Sequence, residues 1–207
     1  MICIFCYIYN NSIIYSEPFM TSQILAGVDE VGRGCLAGPV ISAAIILNES
    51  IDRSILKDSK LLTEKKRSFL ASYILNNCIS VGIGVSPNDE IDQLNIHNAT
   101  LLSMKRAINN LVKLPTKLVI DGLHKPDTKI NTTCVVKGDQ LLPEISAASI
   151  VAKVLRDNVM KSLDNKIKAY GFSKHKGYGT KQHLLAIDMF GPSIYHRMSF
   201  APLKTEI

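Results

Sequence analysis

The sequence predicts an α/β fold, and three observations carry that expectation. Short apolar runs of strand length recur at 24–28, 40–47, 78–85, 117–120 and 133–136. Segments with apolar residues at helical spacing (64–74, 97–111 and 143–167) lie between or after them. Three of the runs lead into an acid beside glycine, at Asp29-Glu30, Asp121 and Asp139, and strand ends along one sheet edge are where α/β proteins gather ligand residues. A chain of 207 residues is the size of one domain and long enough to bury a sizeable core. At 46% hydrophobic and 20% charged, its composition is that of an ordinary globular protein.

Residues 1–20 differ from the rest of the chain. Met1 to Tyr9 is apolar and aromatic but too short to span a bilayer. It has no basic leader and no small-residue cleavage site. Asn10-Asn11-Ser12 breaks it, and Met20 stands just ahead of the first convincing strand. The expected organisation is an N-terminal extension, 1–20, outside a catalytic domain, 21–207, with no membrane association. Five cysteines, odd in number and scattered, with Cys3 and Cys6 forming a lone C-x-x-C, argue against a zinc centre and for the reduced thiols of a cytoplasmic protein. Net charge is +6 and the isoelectric point is near 9.0, which favours a polyanionic partner such as nucleic acid.

The first element pair frames the chemistry. Ile24, Leu25, Ala26 and Val28 run into Asp29-Glu30, then Gly32-Arg33-Gly34 and Gly38-Pro39, then a second apolar run. This reads as a strand, a tight turn and a return strand. Neighbouring strand residues face opposite sides, so the two acids are expected to converge only where the strand ends or bulges. Two acids beside amides freed by glycine suit a cation and a phosphate together. A glycine-rich hairpin with a solvated Asp-Glu pair would use the same residue types. The segment from Gly32 to Gly38 is one residue too long for a dinucleotide fingerprint and opens a strand. A P-loop needs lysine where Arg33 stands.

Next, Thr63 is placed to cap a helix with Glu64 in its first turn and Phe69, Leu70, Tyr73 and Ile74 as its buried stripe. A strand over 78–85 precedes a helical turn at 87–90. A longer helix from about His97 to Leu111 comes after it, with Lys105 snorkelling at its apolar edge. The segment from Pro143 to Asp157 is apolar nearly all round, so it is expected as a helix buried on several sides, carried on to Tyr170. Ser146 and Ser149 are expected to bond carbonyls within that helix. Lys153 is expected to reach an anion or one of the carboxylates. Residues 173–183 gather three lysines and two histidines around Tyr178, which reads as a mobile basic loop with an aromatic face for a sugar or base. A last helix over 182–189 stops at Gly191-Pro192, and His196 and Arg197 sit in a basic tail.

These motifs resemble those of bacterial ribonuclease HII, the type 2 ribonuclease H family. The resemblance rests on 27–34 (Gly-Val-Asp-Glu-Val-Gly-Arg-Gly), 56–60 (Leu-Lys-Asp-Ser-Lys), 119–122, 136–139, 143–154 and 175–180, in the family's order across 24–202. It implies a ribonuclease H-like fold: a mixed five-stranded sheet flanked by helices, with a helical C-terminal part. It implies that Asp29, Glu30, Asp121 and Asp139 are the active-site acids and hold two divalent ions, Mg²⁺ or Mn²⁺. Gly32, Arg33 and Gly34 would read the 2′-hydroxyl beside the cleaved bond, and Tyr178 would pack on the sugar 3′ of it. Ser59, Lys60 and Lys153 would support phosphate or the active site. The implied activity is hydrolysis of RNA in RNA/DNA hybrids and incision 5′ of single ribonucleotides in duplex DNA, leaving 5′-phosphate and 3′-hydroxyl. A monomer is expected.

Elementary chemistry leads the same way. Four acids in one cleft repel each other and any phosphodiester, and divalent cations with hard oxygen ligands resolve the conflict. In a two-metal scheme one ion activates the attacking water and the other stabilises the leaving 3′-oxygen. Asp29, following the central strand, is the expected bridge between them. Three alternatives compete. A ribonuclease HIII-like enzyme would carry lysine between its glycines and an added N-terminal domain. A non-catalytic nucleic-acid binder would lack one of the acids. A metal-free hydrolase would use Asp29 and Glu30 as an acid-base pair.

Overall fold

The structure, a computed structural model, describes residues 7–9 and 12–14 in backbone outline and residues 23–56 and 62–204 in full. Strands β1 (Tyr7–Tyr9) and β2 (Ser12–Ile14) pair antiparallel as a sheet of their own, where the sequence shows no periodic element. The main sheet contains β3 (Leu25–Val31), β4 (Val40–Ile46), β5 (Ser80–Ser86), β6 (Lys117–Asp121) and β7 (Asn131–Val135), in the order β5-β4-β3-β6-β7. The β3–β4 and β4–β5 pairs are antiparallel, and β3–β6 and β6–β7 are parallel. This is the mixed five-stranded sheet expected, with β3 at its centre.

Two apolar layers sandwich the sheet, so all seven residues of β4 are buried. Ala43 and Ile45 face Leu70 and Ile74 of α1 (Glu64–Asn77) and Ala147 and Val151 of α4 (Pro143–Lys166). Ala44 and Ile46 face Met104 and Ile108 of α2 (Asn88–Asn109), together with Val28, Leu118 and Ile120. Helix α4 lies directly on β3 because Gly27 has no side chain; a Cβ there would overlap the Glu144 carbonyl group.

Several local expectations are corrected. Thr63 does cap α1, accepting the Lys66 N–H at 3.4 Å, but the buried stripe is Leu70, Ala71 and Ile74, and Phe69 points to solvent at 74% exposure. The short turn and long helix are halves of α2, separated by a kink at Asn95 (φ 65°, ψ 163°). The Asn95 Oδ1 accepts the His97 and Asn98 N–H groups and caps the second half. Lys105 snorkels as expected, to Asp127 at 3.0 Å. Helix α4 ends at Lys166, and a 3-10 turn at Lys168–Tyr170 leads to α5 (Phe172–His175) and α6 (Lys181–Phe190). A four-residue helix, α3 (Gly138–Leu141), precedes α4.

The C-terminal part departs furthest from expectation. It is helical, but the histidines of the supposed mobile loop and tail are interior: His183 is 0% and His196 1% exposed, and His175 is buried beside them. Arg197 is also wholly buried, as is Arg156 of α4. Burial is tolerated because every ring nitrogen and guanidinium finds backbone or imidazole partners. Among the described residues, Cys35, Cys78 and Cys134 are free thiols, and no helix is long and apolar enough to cross a membrane.

Candidate active site

Asp29 and Glu30 lie within β3, not beyond its end. They pair in regular register with Ala43 and Ser42 of β4. On the other side the β3–β6 ladder stops at Val28–Ile120, so β3 runs on past its partner. Alternation sends Asp29 to the α4 face, with Gly27, and Glu30 to the α2 face, with Val28. The two acids meet by flanking a sheet edge from both sides, which needs no bulge. A cavity of about 300 Å³ opens there, lined by Asp29, Glu30, Asp121, Ser149, Lys153 and Arg67. Glu30 and Asp121 also line a smaller recess that holds Arg33, His97 and His124.

Close packing at Gly27 sets the facing residues of α4. Two strand residues advance about 6.6 Å and four helical residues about 6 Å. Ile145 beside Gly27 therefore places Ser149 beside Asp29 in the cavity wall. One turn further, Lys153 reaches the cavity, and its Nζ pairs with Asp157 at 2.8 Å. The anion it meets is thus a neighbour on its own helix. Ser146 also departs from expectation: it bonds the Leu56 carbonyl, outside α4.

Burial pushes the Asp29 carboxyl well above the usual carboxylate range, and the charges of Glu30 and Asp121 push it the same way. The Ser149 hydroxyl and the Glu30 N–H pull it back. Glu30 is raised chiefly by burial as well, against the lowering influence of Arg33, whose Nη1 stands 3.3 Å from Oε1. Its other oxygen, Oε2, is buried with no hydrogen-bond partner among the described residues. Asp121 is oriented by the Gly138 N–H, donated to Oδ1 at 2.7 Å.

Asp139 arrives by another route than expected. Strand β7 stops at Val135, and Lys137 turns the chain through a left-handed conformation (φ 55°, ψ 35°) into α3, whose first turn carries Asp139. It is buried in an adjoining recess with Leu56, Pro143 and Ser146. Three of the four expected acids therefore share one cavity, and the fourth lines a separate recess, its chain neighbour Gly138 bonded to Asp121. Ser59 and Lys60 lie outside the described residues.

The glycine turn is built from the inside. Gly32 is buried at φ +99°, and a Cβ there would overlap Arg156 Nε. Gly34 is exposed, with open space where a Cβ would be. The turn is knitted to Tyr178 by a Cys35–Tyr178 bridge and the Leu36 N–H to Gly177 carbonyl bond of 2.8 Å. Tyr178 presents 43% of its surface to solvent, and burial of the remainder raises its phenol pKa. Four contributors escape a reading of the sequence, Arg67 at the cavity wall among them. Ser149 is detectable as the residue one turn before Lys153. Arg156 and Arg197 carry no signal, because a lone arginine reads as surface.

Carboxyl oxygens, one of them orphaned and buried, are hard donors of the kind that Mg²⁺ or Mn²⁺ prefers. Among the described residues no three acidic, histidine or cysteine side chains stand converged around a point ready to hold a metal ion. The donor set fits such ions in chemistry.

Known proteins resemble this chain over most of its length. The family model described as Ribonuclease HII matches residues 26–202. A ribonuclease HII of Pelagibacter ubique is 52% identical over 183 residues, 88% of this chain and 98% of the relative. The ribonuclease H2 of Pyrococcus horikoshii superposes with a TM-score of 0.75 at 24% identity, covering 87% of this chain and 95% of that one. A Bst-RNase HIII crystallised in complex with Mn²⁺ gives 0.64 at 20% identity, over 90% of this chain and 70% of that one. With a family model matched over residues 26–202 and 52% identity to a relative over 88% of the chain, the chain belongs to the ribonuclease HII family.

Proposed function

We propose that the acid cavity hydrolyses the RNA strand of RNA/DNA hybrids and incises duplex DNA 5′ of single embedded ribonucleotides, leaving 5′-phosphate and 3′-hydroxyl. The observation that carries this is the gathering of Asp29, Glu30 and Asp121 around one cavity with Lys153 and Arg67 at its wall. Two divalent ions held by Asp29, Glu30, Asp121 and Asp139 would activate the attacking water and stabilise the leaving 3′-oxygen. The Glu30 N–H and the Gly138 N–H orient Asp29 and Asp121, each by a bond of 2.7 Å, and Ser149 stands beside Asp29. Lys153 and Arg67 supply positive charge beside the incoming phosphodiester. Gly32, Arg33 and Gly34 meet the 2′-hydroxyl, and Tyr178, exposed on the adjoining loop, packs on the next sugar. Residues 1–20 form an extension outside this domain, so a chain starting at Met20 should melt and cleave unchanged.

The test is cleavage of two labelled duplexes, one with a single internal ribonucleotide and one an RNA/DNA hybrid, with Mg²⁺ and with EDTA. Incision on the 5′ side of the lone ribonucleotide, abolished by EDTA, is expected. Cleavage of the hybrid alone, or cleavage that survives EDTA, overturns the reading.

A further inference from the structure

The turn after the acids is organised by Arg197, which lies 165 residues from Gly32 in sequence and is wholly buried. Its Nε donates to the Gly38 carbonyl at 3.0 Å and its Nη1 to the Arg33 carbonyl at 2.8 Å. Its Nη2 donates to the Gly32 carbonyl at 2.7 Å and to Gly38 again at 2.8 Å. One planar fork thus holds two successive carbonyls, those of Gly32 and Arg33, toward the interior. In extended backbone, successive carbonyls alternate in direction; here Arg33, the residue between these two peptides, lies in a turn, which allows the departure.

Both of these peptide bonds are trans, and in a trans peptide the N–H points opposite to the C=O. Carbonyls 32 and 33 pointing in send amides 33 and 34 out. Gly32 is buried while Arg33 and Gly34 are exposed, in agreement with that direction. Two successive amides on one side of the backbone form a concave donor pair, suited to an electronegative oxygen.

We propose that Arg197 is a positioning residue for ribose recognition, holding the Arg33 and Gly34 amides outward as a paired donor to the 2′-hydroxyl oxygen. This rests on the ribonuclease reading above. The hydroxyl is favoured over a phosphate oxygen because Glu30 stands beside the turn, bonded to Arg33 at 3.3 Å. A carboxylate repels phosphate, whereas a hydroxyl accepts from the amides and donates to the carboxylate. The open space at Gly34 lets a sugar edge approach. Lysine at 197 would offer a point charge in place of the fork and release one carbonyl.

The experiment compares wild type with Arg197→Lys. KM is measured on a DNA duplex with one ribonucleotide, and Ki for the all-DNA duplex as competitor. In wild type, KM should lie well below Ki. In the variant, KM should rise about tenfold toward Ki, with Ki unchanged, for a loss of one well-made hydrogen bond to the 2′-oxygen. A variant that keeps the wild-type ratio overturns the proposal, as does one that weakens both constants together, the mark of a phosphate contact or a general structural role. Wild type that cuts no ribonucleotide overturns the ribonuclease reading and this inference with it. Should Arg197→Lys fail to fold, amide exchange in wild type decides. The Arg33 and Gly34 amides should exchange freely in the unliganded protein and slow when the ribonucleotide duplex binds, but not with all-DNA. Slow exchange in the free protein, or equal protection by both duplexes, overturns the proposal.

Discussion

The acid cavity and the C-terminal histidine-arginine cluster bury polar groups to a similar depth, with opposite electrostatic outcomes. At the sheet edge, Asp29 is 5% exposed, surrounded by like charge, with its carboxyl driven toward the protonated form. In the cluster, His183, His196, Arg156 and Arg197 are at most 1% exposed, yet each has its donors and acceptors matched. The His183 Nδ1 donates to the Tyr178 carbonyl at 2.9 Å, which leaves its Nε2 as acceptor for the His196 Nε2–H at 3.0 Å. The His196 Nδ1 in turn accepts the Ser193 N–H at 2.9 Å. That chain works only with both rings neutral. One region is left in conflict, which the cations proposed above would relieve; the other is internally complete and holds the glycine turn and Tyr178 in place. A buried polar group therefore marks a binding site only when its neighbours do not satisfy it.

The sharpest way to break this contrast is Asp29→Asn. Removing one charge from the conflicted region should raise the melting temperature of the metal-free protein. The same change should lower turnover with Mg²⁺ by about three orders of magnitude or more, because the amide keeps the volume but not the charge that holds a cation. Near-normal turnover in a steady-state assay would remove Asp29 from the site. In the satisfied region the sign reverses. Arg156 donates to the carbonyls of Pro39 (2.9 Å), Lys176 (2.8 Å) and Ala37 (3.0 Å), so Arg156→Met strands three buried acceptors. A loss of about 3–5 kcal/mol in urea unfolding is expected, and an unchanged midpoint would contradict the packing described.

Acid should act on the cluster next. Burial, with the neighbouring His183, holds His196 down to about 4 from an ordinary 6.5, and His183 is lowered for the same first reason. Below pH 6.5 the unfolded chain takes up protons that the folded chain refuses. The stability present above pH 6.5 is then lost as pH falls toward 4, by on the order of 2 kcal/mol. The groups facing His196 are His183, His175, Ser193, Tyr170 and Phe172. Replacing His196 with phenylalanine should flatten this limb of the stability-pH curve, and a curve of unchanged slope would show that the cluster does not titrate. The smallest stability effect separates the two glycines of the turn. Gly34→Ala should shift stability by less than about 0.5 kcal/mol, since a Cβ meets nothing there. Cleavage of the single-ribonucleotide duplex should nevertheless fall, because the methyl occupies the space the sugar needs. Gly32→Ala should destabilise the fold itself by displacing Arg156. Equal melting of the two variants would refute the inside-outside division of the turn.

Much of this protein was legible in its residues alone. Strand and helix identities follow from apolar periodicity, a local property, and β3, β4, β6 and α4 appear where the periods place them. The acids and the glycine turn were legible because their chemistry is written in adjacent letters, Asp29-Glu30 and Gly32-Arg33-Gly34. Tertiary structure alone decided how they meet. The early end of the β3–β6 ladder, not a bulge, gathers Asp29 and Glu30, and ladder length depends on where β6 starts and stops. Likewise, nothing local distinguishes Arg156 and Arg197 from surface arginines, or His183 and His196 from a basic tail. Whether a charged side chain is solvated or enclosed depends on carbonyls and rings supplied from distant segments, 165 residues away for Arg197 and Gly32. A local pattern of residues does not contain that information.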